Sequence, residues 1–274
     1  MSDHIAITLN ADQINLNARK VVKRLQDSGY EAYLVGGCVR DLLLGKTPKD
    51  FDVSTNAHPE EVRDLFRNSR MIGRRFMIVH VRFGREIIEV ATFRADHPEE
   101  NHDTYDSSHI SEGGMILSDN RYGTFSEDAR RRDFTINALY YDPENQEILD
   151  PLEGMEDLEQ QQIRLIGTPG DRYREDPVRM LRALRFRAKL GFEIEEQTRT
   201  AISELGYLLQ DIPPARLFEE VLKLFMSGYG KEALSCLTEE DTFRWLFPDT
   251  ESLLDDSHHR SLIELALEST DTRI

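Results

Sequence analysis

The sequence predicts an α+β fold in which a head built on a mixed sheet is followed by an all-helical neck. Short apolar stretches with strand character alternate with helical stretches up to about residue 168. Beyond Pro169 the apolar residues recur at helical spacing throughout. Since 274 residues exceed one ordinary domain, we expect two domains, a head over residues 1–168 and a neck over residues 169–274.

The elements of the head follow from apolar periodicity and from the glycines that interrupt it. In chain order the prediction gives helix 12–28, strand 30–35, helix 39–44, a strand through 50–52, helix 59–68, a hairpin of 77–83 with 86–93, and strands 135–141 and 163–166. Residues 95–122 are polar and lack periodicity, which is typical of a long loop that is either functional or disordered.

In the neck, the apolar residues recur only at the spacing of helices. The predicted helices are 177–190, 195–209, 214–227, 229–237 and 258–269. Pro177 suits the first turn of the first of these helices, with Asp176 as its N-cap, and Gly191 ends it.

Composition limits the class of protein and of partner. The chain carries 51 acidic and 34 basic residues, a net charge of −17, which argues weakly against nucleic acid because its binders normally present a basic surface. Arginines nevertheless concentrate at 70–85, 130–132 and 172–187, and phosphate contacts need only a local patch. Two cysteines are too few for a disulfide framework or a zinc site, and no segment has the apolar length of a signal peptide or membrane span. We expect a cytoplasmic protein without membrane contact.

The most informative motif is Asp50-Phe51-Asp52. Side chains two apart on a strand share one face, so the two carboxylates would converge. Two divalent ions about 4 Å apart can hold the attacking and leaving oxygens of a phosphoryl displacement, and hard carboxylate oxygens suit Mg²⁺. Taken alone the motif is weak, because an acidic chain contains such tripeptides by accident.

A glycine pair upstream strengthens the prediction. Gly36-Gly37 lies between a predicted strand and a predicted helix, so that backbone N–H groups could approach a phosphate at the helix N-terminus. Arg40, one turn into the helix, could reach the same anion. An ordinary strand-to-helix turn explains a lone Gly-Gly better, but not a Gly-Gly, an Arg-Asp pair and Asp-x-Asp within 17 positions.

Several blocks of the sequence together resemble a known family. GGCVRDLLLG followed by DFDVST, then RRDFTINAL at 131–139 and EDPVR at 175–179, are similar to the signature of the nucleotidyltransferases that include tRNA CCA-adding enzymes and bacterial poly(A) polymerases, in the bacterial class II branch. The likeness covers nearly the whole chain. It implies a nucleotidyltransferase (polymerase β-like) catalytic head, with a neck that recognises the nucleotide and binds RNA.

Two aspartates rarely satisfy two metal ions, so a third carboxylate is expected. Glu89, in the strand IIEVATF, could aim into the site if its face of the strand meets Asp52. The resemblance points instead to Asp133 as the third catalytic residue. Asp133 is the preferred candidate and Glu89 its rival, while a salt bridge from Asp133 to Arg131 or Arg132 explains that aspartate equally well.

The helix after Pro177 combines a carboxylate with a row of arginines. Arg179, Arg182 and Arg185 follow Asp176 at three-residue intervals and share one broad face. A carboxylate can accept the adenine amino group while a guanidinium donates to a ring nitrogen, so Asp176 and Arg179 could read a base without a template. The resemblance implies this role and brings the later arginines to the triphosphate; a solvated arginine face is the plainer explanation of the helix alone.

The resemblance assigns roles to four more residues. Arg132 would meet the triphosphate or the ribose, and Asn137 would hold the local turn. In the segment PARLFEEV, Arg216 and Glu219 would hold the reading helix in place, which pairing with neighbouring charges explains equally well.

The segment MIGRRFMIVHV at 71–81 resembles the part of the family that marks bacterial poly(A) polymerases. The predicted activity is template-independent addition of AMP from ATP to single-stranded RNA 3′ ends, with Mg²⁺ or else Mn²⁺. The alternatives are a CCA-adding or A-adding tRNA nucleotidyltransferase and a non-catalytic RNA-binding relative. RNA-degradation or RNA-chaperone proteins are candidate partners. Since similar polymerases continue past this point, we expect a chain truncated at its C-terminus, with weak, salt-sensitive RNA binding.

Overall fold

A computed structural model describes residue 9 and residues 13–73, 77–95 and 121–274 of the chain. They form two compact units, one ending at Leu158 and one running from Glu159 to Ile274, so the division falls earlier than the predicted boundary at residue 168. Within the described ranges no helix is both long and apolar enough to cross a membrane.

The first unit is built on one seven-stranded sheet. Its strands are β1 (Ala32–Val35), β2 (Asp52–Thr55), β3 (Ser69–Ile72), β4 (Ile78–Phe83), β5 (Glu86–Thr92), β6 (Tyr140–Asp142) and β7 (Glu147–Leu149). They lie in the order β3-β4-β5-β2-β1-β6-β7, in which β2 and β5 run parallel and the other neighbours antiparallel. The predicted mixed sheet and the hairpin of β4 and β5 are confirmed.

The helices of this unit are α1 (Leu16–Asp27), α2 (Gly37–Leu43), α3 (Pro59–Leu65), α4 (Phe125–Arg131) and α5 (Gly154–Glu159). Helix α1 covers one face of the sheet, where Asn15 and Asn17 at its start donate to the carboxylate of Glu86. On the other face Phe125 of α4 packs on Tyr33 and Tyr140. On the same face, β3, β4 and β5 carry both polar and apolar side chains, and the candidate site lies where β5 pairs with β2.

One predicted strand of the head is largely wrong. Residues 135–141 have the apolar character of a strand, but Thr135–Asn137 form a 3₁₀ turn and the strand begins at Tyr140. The Asp133 carboxylate accepts hydrogen bonds from the Phe134 N–H and the Asn137 amide, which holds the turn. Local side-chain acceptors therefore override the apolar pattern.

The second unit is a helical array with a minimal strand pair. Its helices are α6 (Pro169–Glu175), α7 (Val178–Leu190), α8 (Glu196–Leu205), α9 (Pro214–Phe225), α10 (Gly230–Glu239), α11 (Phe243–Leu246), α12 (Pro248–Glu251) and α13 (Ser257–Asp271). The segment predicted as the last strand of the head contributes β8 (Gln162–Ile163), which pairs instead with β9 (Glu193–Ile194) in this unit. Helix α7 buries Met180, Leu181 and Leu184 completely and forms part of the core.

Candidate active site

Two carboxylates lie side by side where the parallel pairing of β2 with β5 begins. Asp52 is the first residue of β2 and lies in register with Glu89 of β5. Paired residues of neighbouring strands project from the same face of a sheet, so the two side chains are neighbours. Asp50 precedes the strand by two residues and is exposed. The structure thus brings Glu89, the rival candidate, next to Asp52.

Like charge and loss of hydration change the acidity of Asp52. The surrounding protein removes part of its water shell, and the nearby carboxylate of Glu89 adds repulsion; together they raise the pKa of Asp52 to about 6. Arg132 opposes this rise, and Asp50 adds a weaker contribution in the same direction as Glu89. A cation placed between these carboxylates would relieve the repulsion.

The carboxylates suit a metal that also binds the substrate. Within the described ranges no three His, Cys, Asp or Glu side chains come close enough together to form a closed metal cage. Mg²⁺ is usually held by one or two carboxylates, with water and substrate phosphates as the other ligands. Asp52 with Glu89 fits that open type of site, whereas Asp50 does not join them in a group of three.

The glycine turn lies on the other side of Asp52. Val35 of β1 pairs with Asp52, and Gly36 and Gly37 follow it directly. Gly36 has φ 78° and ψ −130°, a conformation that strongly favours glycine, and its N–H donates to Leu139 O at 3.0 Å. A Cβ at Gly36 would lie 3.5 Å from Arg132 Nη1, so the turn and this guanidinium face the same space.

A buried network that the sequence did not reveal positions Arg132. Asp128 Oδ2 accepts hydrogen bonds from Tyr140 Oη at 2.7 Å, from Arg132 Nη2 at 3.0 Å and from Ser54 Oγ at 3.2 Å. Arg132 Nε also donates to Tyr140 Oη at 2.9 Å. The one available signal was the four-residue spacing of Asp128 and Arg132, which places both on one face of a helix.

The network fixes the charge states of its members. Burial alone would favour the neutral form of Asp128, but Arg132 and the hydrogen bonds from Tyr140 and Arg132 outweigh it and hold the pKa of Asp128 below its usual value. Burial raises the pKa of Tyr140 above its ordinary range. Arg132 therefore remains a cation with a permanent counter-ion behind it.

Arg40 lies in a second buried chain of contacts. Only 3% of this residue is exposed. Its Nη2 lies 2.6 Å from Asp41 Oδ1, and its Nη1 lies 2.6 Å from Asn137 Oδ1. Asn137 Nδ2 in turn donates to Asp133 Oδ1 at 3.1 Å. These contacts connect α2 to the 3₁₀ turn, in line with the structural role predicted for Asn137.

In the second unit the predicted base-reading residues are already paired. Asp176 Oδ2 accepts from Arg216 Nη2 at 2.6 Å, a contact between the start of α7 and helix α9. Arg179 Nη1 donates to Glu175 Oε2 at 2.8 Å and to Arg172 O at 2.7 Å. Helix α7 has Pro177 as its N-cap, one residue later than predicted, although Asp176 still accepts from Val178 N at 3.3 Å.

The later arginines of α7 lie against an aromatic ring. The guanidinium carbons of Arg182 and Arg185 stand 5.8 and 5.1 Å from the ring centre of Phe186. Arg185 Nε is also 4.0 Å from Glu220 Oε2 of α9. Both side chains are half-buried rather than fully solvated.

A mixed sheet with two carboxylates in register beside a glycine turn is the arrangement expected of a nucleotidyltransferase head. Residues 32–164 match the family model described as "Poly A polymerase head domain". Residues 191–254 match the model described as "Probable RNA and SrmB- binding site of polymerase A". The two models cover most of the chain in the order expected for such an enzyme.

Similar proteins give the same result. The chain is 55% identical over 269 residues to Poly(A) polymerase I of Escherichia coli O6:H1, covering 97% of this chain and 58% of that protein. It is 40% identical over 218 residues to the CCA-adding enzyme of Lactobacillus helveticus, covering 80% and 52%. The crystal structure of the Bacillus stearothermophilus CCA-adding enzyme with CTP aligns with a TM-score of 0.68 at 35% identity, over 82% of this chain and 52% of that one.

The chain belongs to the family that comprises bacterial poly(A) polymerases and CCA-adding enzymes. It spans less than two thirds of the length of these relatives. Enzymes of this family depend on metal ions.

Proposed function

We propose that the chain is the catalytic part of a template-independent polynucleotide adenylyltransferase. The 3′ oxygen of an RNA would form a bond to the α-phosphorus of ATP, the bond from that phosphorus to the bridging oxygen of the β-phosphate would break, and diphosphate would leave while the hydroxyl proton passes to solvent. The observation that carries the proposal is the pair of Asp52 and Glu89 beside the Gly36 turn, in a chain 55% identical to a poly(A) polymerase.

Asp50 and Asp52 are the proposed metal-binding carboxylates, with Mg²⁺ as the ion. When bound, such ions supply charge stabilisation and orientation of the phosphates. The register with Asp52 supports Glu89 as the third carboxylate more strongly than it supports Asp133, whose oxygen accepts hydrogen bonds that hold the 3₁₀ turn. Asp133 would then act by shaping the turn that follows Arg132.

The phosphates are proposed to bind at Gly36, Gly37 and Arg132. Backbone at the glycines can approach an anion closely, and the Asp128 network holds the Arg132 guanidinium towards the space that the Gly36 turn also faces. Arg40 was predicted to reach the same anion. Its burial against Asp41 and Asn137 supports instead a role in positioning the glycine turn.

The base is proposed to be read by Asp176 and Arg179 of the second unit. Asp176 has acceptor oxygens and Arg179 has donors, which match the amino group and a ring nitrogen of adenine. The contact from Arg216 orients Asp176, which supports the predicted role of the segment after Pro213. Arg182 and Arg185 remain candidates for the triphosphate.

The test is extension of two labelled RNAs, a generic oligoribonucleotide and a tRNA that lacks its CCA end, with Mg²⁺ and each nucleoside triphosphate in turn. Long tails on the generic RNA with ATP alone are the expected product. Asp52→Asn should abolish extension while the variant keeps its circular dichroism spectrum. Absence of product from the wild-type chain, with nucleotide binding retained, would favour a non-catalytic RNA-binding relative.

The similarity to CCA-adding enzymes supports a second candidate function. The same assay separates the two, because a CCA-adding enzyme would add C, C and A to the tRNA and leave the generic RNA unextended. The higher identity to poly(A) polymerase I favours the first candidate. No membrane-spanning helix occurs among the described residues, which fits a cytoplasmic site of action.

A further inference from the structure

The sheet face that carries Asp52 and Glu89 continues across β5, β4 and β3. A row of paired residues crosses it, from Asp52 to Glu89, then to His80, then to Arg70. Arg82 lies on the same face, because it is two residues from His80 along β4. Arg70 and Arg82 are both exposed. This surface, the row with Arg82, is called the acceptor face below.

The two arginines of the acceptor face have no ion pair and no side-chain hydrogen bond with any residue that the structure describes. In this chain of 51 acidic and 34 basic residues, Arg67 and Arg85 likewise lack an ion pair among the described residues, whereas many other arginines are paired. Arg132, Arg187 and Arg216, for example, all contact carboxylates. Unpaired guanidinium groups on the same sheet face as the carboxylates keep their full affinity for an external anion.

In-line geometry indicates which of the two substrates, RNA or ATP, binds on the β5 side of Asp52. The attacking and leaving oxygens stand on opposite sides of the phosphorus in a phosphoryl transfer. The proposed phosphate-binding groups, Gly36 and Arg132, lie on the β1 side of Asp52, where Val35 is its partner. If diphosphate leaves on that side, the 3′ hydroxyl must arrive from the β5 side, where Glu89 stands.

We propose that the acceptor face binds the 3′-terminal nucleotides of the RNA, with Arg70 and Arg82 on its phosphates. This inference rests on the proposed function. Arg70 is two strands beyond Glu89, about 10 Å away at the usual strand spacing of about 4.8 Å, so it reaches the last phosphates rather than the reacting end.

Two apolar residues that border the acceptor face on β3 and β5 fit a single-stranded, sequence-neutral ligand. Ile72 and Ile87 are 38% and 39% exposed and offer contact to ribose and base surfaces. The row from Asp52 to Arg70 contains no Phe, Tyr or Trp side chain, so contacts with phosphate dominate and carry no sequence information. His80 Nε2 lies 3.1 Å from Glu89 Oε1, so His80 occupies the position between the arginines and the carboxylates.

The experiment compares the wild-type chain with Arg70→Ala, Arg82→Ala and the double variant. Filter binding of labelled oligoadenylate and oligouridylate across a KCl series gives the RNA affinity and its salt slope, and extension with ATP gives the two KM values. We expect the double variant to lose on the order of tenfold in affinity for both RNAs and about 1.4 units of salt slope, about 0.7 for each phosphate contact on a single strand, with the KM for ATP unchanged.

Lys20→Ala is the matched control. Lys20 is exposed and lies on α1, which covers the opposite face of the sheet, so its replacement removes one positive charge from the same unit, as each single arginine variant does. Wild-type RNA affinity and salt slope in the double variant, or an equal loss in Lys20→Ala, would overturn the proposal. So would a raised KM for ATP with unchanged RNA affinity, because the arginines would then serve the triphosphate.

Failure of the proposed function gives a different result. If the wild-type chain extends no RNA but binds it through Arg70 and Arg82, the adenylyltransferase proposal falls while the acceptor face stands. If extension proceeds normally in the wild-type chain and in the double variant, the function stands and the acceptor face falls.

Discussion

Asp176 Oδ2 and Arg216 Nη2 lie 2.6 Å apart and join the start of α7 to α9. The pair holds the carboxylate that we propose to read the adenine amino group. About a quarter of the Arg216 side chain remains exposed, and the Asp176 side chain is more buried than that. Nucleotide selectivity should therefore depend on a residue that need not touch the base.

Arg216→Ala should relax the choice of nucleotide. Without its partner the Asp176 carboxylate gains rotational freedom, and the ratio of kcat/KM for ATP to that for CTP should fall on the order of tenfold, about 1.4 kcal/mol of discrimination. Steady-state extension of one RNA with each nucleotide measures this. Arg216→Lys should restore part of the ratio; a uniform loss with all nucleotides would mean that Arg216 only stabilises the fold.

Asp52→Asn should stabilise the metal-free protein at pH 7 to 8. The pKa of Asp52 is about 6 in the folded chain against an ordinary 3.8, so the folded state holds the proton more tightly. Ionised Asp52 therefore destabilises the folded state, and the free energy of unfolding falls as the pH rises from about 4 to about 6. Thermal melts of both proteins in EDTA should show a gain in Tm for the variant at pH 8 that disappears at pH 4. A constant difference at every pH would exclude this cause.

Asp128→Asn should be among the most damaging substitutions in the first unit. It leaves the largely buried Arg132 without its counter-ion, at a cost of about 3 kcal/mol or more in the free energy of unfolding. Tyr140→Phe removes one hydrogen-bonding group and should cost about 1 kcal/mol. Urea denaturation measures both. Asp64→Asn, on the exposed side of α3, is the control and should change stability by less than about 0.5 kcal/mol.

The acidity of Asp128 adds a pH dependence. Because its pKa is lowered by folding, its contribution is present above the unfolded value and is lost as the pH falls through the folded one. The stability difference between wild type and Asp128→Asn should therefore shrink in acid. An unchanged difference at pH 3 would contradict the charge argument.

Gly36→Ala should impair nucleotide binding more than stability. The φ of 78° imposes a backbone cost of about 1 to 3 kcal/mol on alanine, and the new methyl group faces Arg132. Gly45→Ala is the matched control, since Gly45 has φ 69° and nothing within 4 Å of an added Cβ. Calorimetric titration with ATP should show weaker binding in the first variant and normal binding in the second.

Both cysteines should resist thiol reagents in the folded protein. Burial raises the pKa of Cys38 to about 12 and that of Cys236 to about 11, which leaves little thiolate at pH 8. Reaction with a chromogenic disulfide should be slow in buffer and complete in urea. Rapid labelling of one thiol in the native state would show local opening of α2 or α10.

The sequence located those parts of the site that are close together along the chain. Gly36, Gly37 and Asp52 were predictable because a strand, a turn and a helix in succession bring them together without any other element. Glu89 could only be kept as a rival of Asp133, since its position depends on which strand pairs with β2 and in which direction. Patterns of alternation do not specify that choice.

The Asp128 network was missed for a related reason. Its members Ser54, Tyr140 and Arg132 belong to three elements, and only the packing of α4 on the sheet joins them. The error at 135–139 arose because apolar residues in a buried turn resemble a strand. In both cases tertiary contacts, rather than local preference, determined the outcome.

The parallel pairing of β2 with β5 also makes the proposed activity a measure of correct strand register. A slip of one residue would bring Ile88 opposite Asp52 and turn Glu89 into the apolar core. Such a sheet would keep nearly all of its backbone hydrogen bonds. We therefore expect a chain with a misregistered β5 to regain its spectroscopic secondary structure but not the proposed nucleotidyl transfer, and strong denaturant followed by slower refolding should recover that transfer.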